Sequence, residues 1–161
     1  PEFSEVLQER LLENVSKTAS VKNPLDCTFD MDLFNYYVKL PQILMESGEI
    51  DIIIIYGTFG FQDVLLKLLK NEKIAKHAKF KDDGNENHKK PLEKILIPPT
   101  LENARKYSIP ILYINPQSFS SPWSIKMRNE GAALFKYWDR PVRCIAKLCE
   151  YSNYLQNKEK D

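Results

Sequence analysis

Four consecutive isoleucines, Ile52–Ile55, preceded by Asp51 and followed by Tyr56-Gly57-Thr58-Phe59-Gly60, narrow the folds open to this chain. An uninterrupted β-branched run suits a strand covered on both faces, as in a parallel sheet. Gly57 and Gly60 punctuate it. From Phe61 the spacing changes: Phe61, Val64, Leu65, Leu68 and Leu69 recur at i, i+3, i+4, i+7 and i+8, one face of a helix. The stretch therefore predicts strand, tight turn, helix. Backbone N–H groups are left free where such a helix starts, and the helix dipole is positive there. An anion, phosphate above all, is the ligand such a turn can take. The alternative is a plain βα turn that holds nothing.

The rest of the chain repeats that alternation. Ser4–Val15 predicts a short amphipathic helix, with Val6, Leu7, Leu11 and Val15 on one face. Val21–Thr28 predicts a short strand or extended turn, because Pro24 keeps Asn23 out of helical geometry. A helix over residues 31–47 follows, capped by Asp30 or Asp32, kinked at Pro41 and ended by Gly48. Residues 71–94 are polar enough to predict an exposed loop, and the only histidines, His77 and His88, lie there without ligand spacing. Ile95–Ile97 is a short apolar run stopped by Pro98-Pro99, after which Thr100 caps a helix to Tyr107. Ile109–Ile114 is a second buried strand, with Pro110 tolerable near its start. Ser121-Pro122 is an N-cap and N1 pair for a helix to about Asn129. Ala132–Tyr137 is a third strand. Asp139 caps a last helix whose buried face is Val142, Ile145, Ala146 and Cys149. This order predicts an α/β domain: a doubly wound parallel sheet with helices on both faces, α/β/α in three layers, with right-handed crossovers.

Composition limits function mainly by what it removes. Lys+Arg 23 against Asp+Glu 22 gives no overall field for nucleic acid or an anionic membrane. No apolar run approaches the ~20 residues of a membrane span, and no leader pattern opens the chain. Cys27, Cys144 and Cys149 are odd in number and lack CxxC spacing. They read as reduced thiols of a cytoplasmic protein, Cys144 and Cys149 as packing residues. Pro1-Glu2-Phe3 reads as an expression-vector remnant and is set aside, leaving a single domain over residues 4–161. On that reading the chain is a piece of a longer protein.

Three segments carry a family resemblance. Asn23-Pro24-Leu25-Asp26, a helix, then Ile50-Asp51-Ile-Ile-Ile-Ile55 resembles the "NPxD … vDxxlv" pattern of nucleotide-diphosphate-forming acyl-CoA synthetases. Gly131–Tyr151 resembles their "GIPvyxxPexAvxalxxLvxYr" ending, and Ile109–Ile114 is similar to the "KPvlv" strand between them. These enzymes are related to succinyl-CoA synthetase. Residues from about Ser4 to Leu155 resemble the flavodoxin-like ligase-CoA domain that lacks the phosphorylated histidine. The resemblance implies an acid–thiol ligase, inactive as this piece alone, with no catalytic residue or metal ligand of its own.

In such an enzyme the helix-opening turn faces the phosphohistidine of a partner domain. Gly57, Thr58, Phe59, Gly60 and Phe61 would occupy that place, with Asp26 and Thr28 near it. For Asp26 and Thr28 a turn-stabilising contact is the equal alternative. ATP or another nucleoside triphosphate, Mg²⁺ and CoA would serve the full enzyme, none of them bound by this domain alone. Its partners would be the histidine-bearing ligase domain, the CoA-binding domain and the ATP-grasp unit, with no nucleic acid or membrane. The family pattern has glycines after the Asp, where this chain has Cys27-Thr28-Phe29-Asp30, and adjacent glycines in the turn, where it has Gly57-Thr58-Phe59-Gly60. Two other readings stand beside the ligase. One is a non-catalytic docking or regulatory module on the same fold. The other is a flavin binder stacking its ring on Tyr56, Trp123 or Trp138.

Overall fold

The structure is a computed structural model and describes residues 2–28, 32–57 and 92–158. Five α-helices and three strands alternate through it: α1 (Glu5–Leu12), α2 (Leu40–Ser47), β1 (Ile53–Tyr56), α3 (Leu92–Tyr107), β2 (Ile111–Ile114), α4 (Pro122–Asn129), β3 (Ala133–Phe135) and α5 (Asp139–Lys158). A π-helical turn, Asn35–Lys39, leads straight into α2. The protein is a mixed α/β domain with a small parallel sheet.

The strands lie in the order β1-β2-β3, with Ile53 opposite Ile111, Tyr56 opposite Ile114, and Ile114 opposite Phe135. A sheet that advances in one direction through right-handed crossovers stacks its connecting helices on one face. The packing follows that rule. Ile53, Ile55, Ile111 and Tyr113 point into the core together with Leu96, Ile97 and Leu101 of α3 and Trp123 and Met127 of α4. Leu7 and Leu11 of α1 and Leu40, Ile43 and Leu44 of α2 complete that layer. The opposite face carries Ile54 and Tyr56 on β1, 41% and 63% exposed, beside half-buried Leu112 and buried Ile114 on β2, so it is open at the β1 edge. The continuous isoleucine run predicts cover on both faces; among the described residues β1 instead alternates buried and exposed. No reversal of strand order, which a doubly wound sheet needs, occurs among the described residues.

Prolines decide two local structures that their sequence pattern misjudges. The predicted kink at Pro41 is taken up one turn earlier, as the π-helical turn in which the Leu40 N–H reaches Asn35 O. Pro41 has no N–H, so the carbonyl four residues back, Tyr37 O, loses its helical donor. The Thr100 hydroxyl fills that vacancy at 2.6 Å, and it also lies 2.7 Å from Leu96 O. Pro98 and Pro99 do not stop the run before them; they lie inside α3. Thr100 is therefore not a cap but a fully buried mid-helix residue. Leu96, Ile97, Thr100 and Leu101 share one helix face, and their burial outweighs the two missing N–H donors.

Other ends follow the sequence closely. Ser4 caps α1, its hydroxyl accepting from Leu7 N at 3.1 Å. Asp32 accepts from Phe34 N and Asn35 N. Gly48 closes α2 in the left-handed region, and Ser121 caps α4. Val21–Cys27 is an extended turn, pinned by one antiparallel bridge between Ser20 and Asp26 and containing a cis Asn23–Pro24 peptide. Phe3, set aside on sequence grounds, is buried in the core. Of the predicted 71–94 loop only residues 92–94 are described, and they belong to α3.

α5 departs most from expectation. Val142 and Cys149, assigned to its buried face, are exposed, Val142 to 54%, as are Ala146 and Cys144. Pro141 is the helix's one buried residue. A helical period fixes which residues share a face; whether anything lies against that face is a tertiary matter.

Candidate functional site at the carboxyl ends of the strands

In an open α/β sheet, ligands sit beyond the carboxyl ends of the strands. Here those ends bring Tyr56-Gly57 of β1 beside Ile114-Asn115 of β2. Gly57 is buried, and its N–H donates to Ile114 O at 3.1 Å. The first amide of the predicted cradle therefore belongs to the sheet ladder. A side chain at Gly57 would place its Cβ 2.5 Å from the Tyr37 hydroxyl, so glycine is needed there for close approach to the core. Thr58, Phe59, Gly60 and Phe61, with the helix predicted after them, lie outside the described residues, as do His77 and His88.

Asp26 and Thr28 turn toward each other. The Asp26 carboxylate oxygen accepts from Thr28 N at 3.0 Å and from the Thr28 hydroxyl at 3.1 Å. This is an Asx-type contact that stabilises the turn, and Thr28 holds a positive φ within it. The loop meets the strand end at Tyr36, whose hydroxyl donates to Tyr56 O at 2.8 Å. Burial first, then Tyr37, Cys27 and Asp26, push the Tyr36 phenol above its ordinary range. It is a fixed donor at neutral pH, not an acid or base.

Between this loop and the outer edge of β1 runs a groove of about 160 Å³, lined by Asn23, Pro24, Leu25, Leu40, Ile52 and Ile54 among others. The lining is mostly apolar. No three His, Cys, Asp or Glu side chains gather as metal ligands among the described residues. Trp123, a candidate for flavin stacking, is in the core, whereas Tyr56 and Trp138 are exposed.

The strand ends also hold a residue that sequence reading passed over. Asn115 is fully buried, its carboxamide oxygen accepts from Gln117 N, and its Nδ2 has no hydrogen-bond partner among the described residues. A buried donor left unmade costs roughly 1–3 kcal/mol. Asn115-Pro116 reads in sequence as ordinary loop opening, and only its position after a buried strand marked it. Lys136, Arg140 and Arg143 were also missed; their signal was three cations clustered around the start of the last helix. No helix among the described residues is long and apolar enough to cross a membrane. Comparison of the whole chain with protein-family models, with curated proteins and with solved structures found no match in any of the three.

Proposed function

We propose that this domain works as a docking module, holding another protein domain against α5 and the open face of the sheet. One observation carries the reading: α5 runs for 20 residues, about 30 Å, with its apolar stripe uncovered. Leu148 is 62% exposed, Tyr151 59% and Leu155 41%, and their i, i+3, i+7 spacing puts them on one face of the helix, with exposed Val142 on the other side. An isolated helix is marginal in water, and a sustained exposed apolar stripe marks an interaction surface. Arg140, Arg143, Lys147 and Lys158 against Asp139 and Glu150 make the helix's polar side basic, which suits an apolar groove with an acidic rim. Amide hydrogen exchange tests this. In the dilute isolated chain α5 should exchange as a fraying helix, and in the protein's native assembly it should be protected. Strong protection already present in the dilute monomer would mean that the stripe is covered by its own domain, and the reading fails.

A second reading keeps the chain as the histidine-free ligase domain of an acyl-CoA synthetase, on a flavodoxin-like three-layer fold. It would act with ATP, Mg²⁺ and CoA held by other domains. The resemblance supports it, and one structural observation favours it: the unpaired Asn115 Nδ2 at a strand end beside Gly57, where a phosphoryl oxygen would supply the missing acceptor. In the full-length protein Asn115→Ala should then slow phosphoryl transfer from the histidine-bearing domain. An unchanged rate removes this reading and leaves the docking one intact.

A further inference from the structure

Beyond the carboxyl end of β3, under the first turns of α5, lies an open cavity of about 560 Å³. Its size is within the ~300–1,000 Å³ of small-molecule sites. The lining has two chemistries. Phe119, Phe135 and Tyr137 supply rings; Lys136, Arg140 and Arg143 supply positive charge. Arg128 fixes the Phe119 side of the cavity, donating to Phe119 O at 3.2 Å with its guanidinium 5.9 Å from the Phe119 ring centre. Arg143 is partly neutralised by Asp139 at 3.0 Å. Arg140 makes no side-chain hydrogen bond or ion pair among the described residues, and the Lys136 ammonium lies 5.7 Å from the Tyr137 ring centre. Among the described residues two cations are therefore left without a counter-charge, at the amino end of a long helix whose dipole adds to them.

We propose that this cavity binds an aryl phosphate: a flat ring set among Phe119, Phe135 and Tyr137, with a dianionic phosphate held by Arg140 and Lys136. The charge count selects the anion. Two unneutralised cations match a phosphate monoester better than a singly charged carboxylate, and a guanidinium engages phosphate oxygens in pairs. The rings select the remainder of the ligand, because aromatic pairs gain stability beyond their buried area. The site is independent of the docking stripe: Leu148, Tyr151 and Leu155 do not line it.

Phenyl phosphate is the probe, with calorimetry and the fluorescence of exposed Trp138, which sits between Tyr137 and Asp139, as readouts. Phenyl phosphate should bind at least about tenfold more tightly than inorganic phosphate, phenol or benzoate, a ratio equal to ~1.4 kcal/mol. Arg140→Glu should weaken it by about tenfold or more, with an unchanged melting temperature because Arg140 is exposed. Arg140→Lys, which keeps the charge but not the paired donors, should lose some affinity but less than Arg140→Glu. Lys136→Glu, at an exposed position, repeats the test if Arg140→Glu does not fold. Leu148→Glu should leave binding untouched whether or not it disturbs docking. Binding no tighter than that of inorganic phosphate, or binding unchanged in both charge reversals, overturns the proposal.

Discussion

The two faces of the three-stranded sheet live in different environments although one short sequence supplies both. Ile53 and Ile55 are 6% exposed and sit under a layer made by α1, α2, α3 and α4. Ile54, between them, is 41% exposed, and Tyr56 63%. Since the four side chains are so alike, hydrophobicity does not distinguish the faces. What distinguishes them is which helices the chain brings back: α3, which leads into β2, and α4, which leads into β3, pack on one side, while α5 is left with its stripe uncovered. Stability should therefore come from one face and recognition from the other.

Substitutions on the packed side should be the most damaging. Leu96→Ala, at a position 1% exposed, should cost ~2–5 kcal/mol in chemical denaturation, the range for emptying a leucine site in a core. A cost near zero would mean that α3 does not hold the sheet. Gly57→Val forces a side chain into the Tyr37 hydroxyl and should destabilise by about 1–3 kcal/mol or more. For that reason a valine at Gly57 tests packing rather than phosphate binding. Thr100→Val keeps the shape and removes the donor to Tyr37 O, leaving a buried carbonyl unmade at ~1–3 kcal/mol. Restoring a helical donor with Pro41→Ala in the same chain should recover part of that loss, and failure to recover would detach Thr100 from the Pro41 defect.

At the rim of the packed layer the effects shrink. The Gln42 amide first, with Arg10 behind it, holds the Glu46 carboxyl below the usual carboxylate range. A folded value below the unfolded one means that the contribution is present above the unfolded pKa of about 4.3. It is lost as pH falls through the folded value. Because Arg10 and Glu46 are both well exposed, the pair is worth no more than ~1 kcal/mol. Acid titration of Glu46→Gln against the parent should show the two stabilities converging as pH falls. On the open side, Leu148→Glu with Leu155→Glu should change stability by less than ~0.5 kcal/mol. A large destabilisation there would abolish the contrast between the faces.

Local chemistry was legible where a residue acts on its own neighbours. Asp32, Gly48 and Ser121 end helices through local geometry, and each was readable from its type and spacing, whereas Ser4, predicted within a helix, is its cap. The parallel strands were readable too, since β-branched runs separated by helical spacing leave few alternatives. The candidate site was readable only in part. Asp26 and Thr28 stand where a strand end meets a loop, but they are spent on each other, and the Gly57 amide is spent on Ile114.

The sequence alone decided the three strands, the helix ends at Asp32, Gly48 and Ser121 and which residues of a helix share a face, because those depend on backbone sterics and on side chains within one or two turns. Tertiary structure alone decided that Thr100 repairs a carbonyl stripped by Pro41, 59 positions earlier in the numbering, that two prolines stay inside α3, and that α5 keeps its apolar face exposed. Those outcomes depend on which distant segments meet, and periodicity carries no information about what lies across the gap.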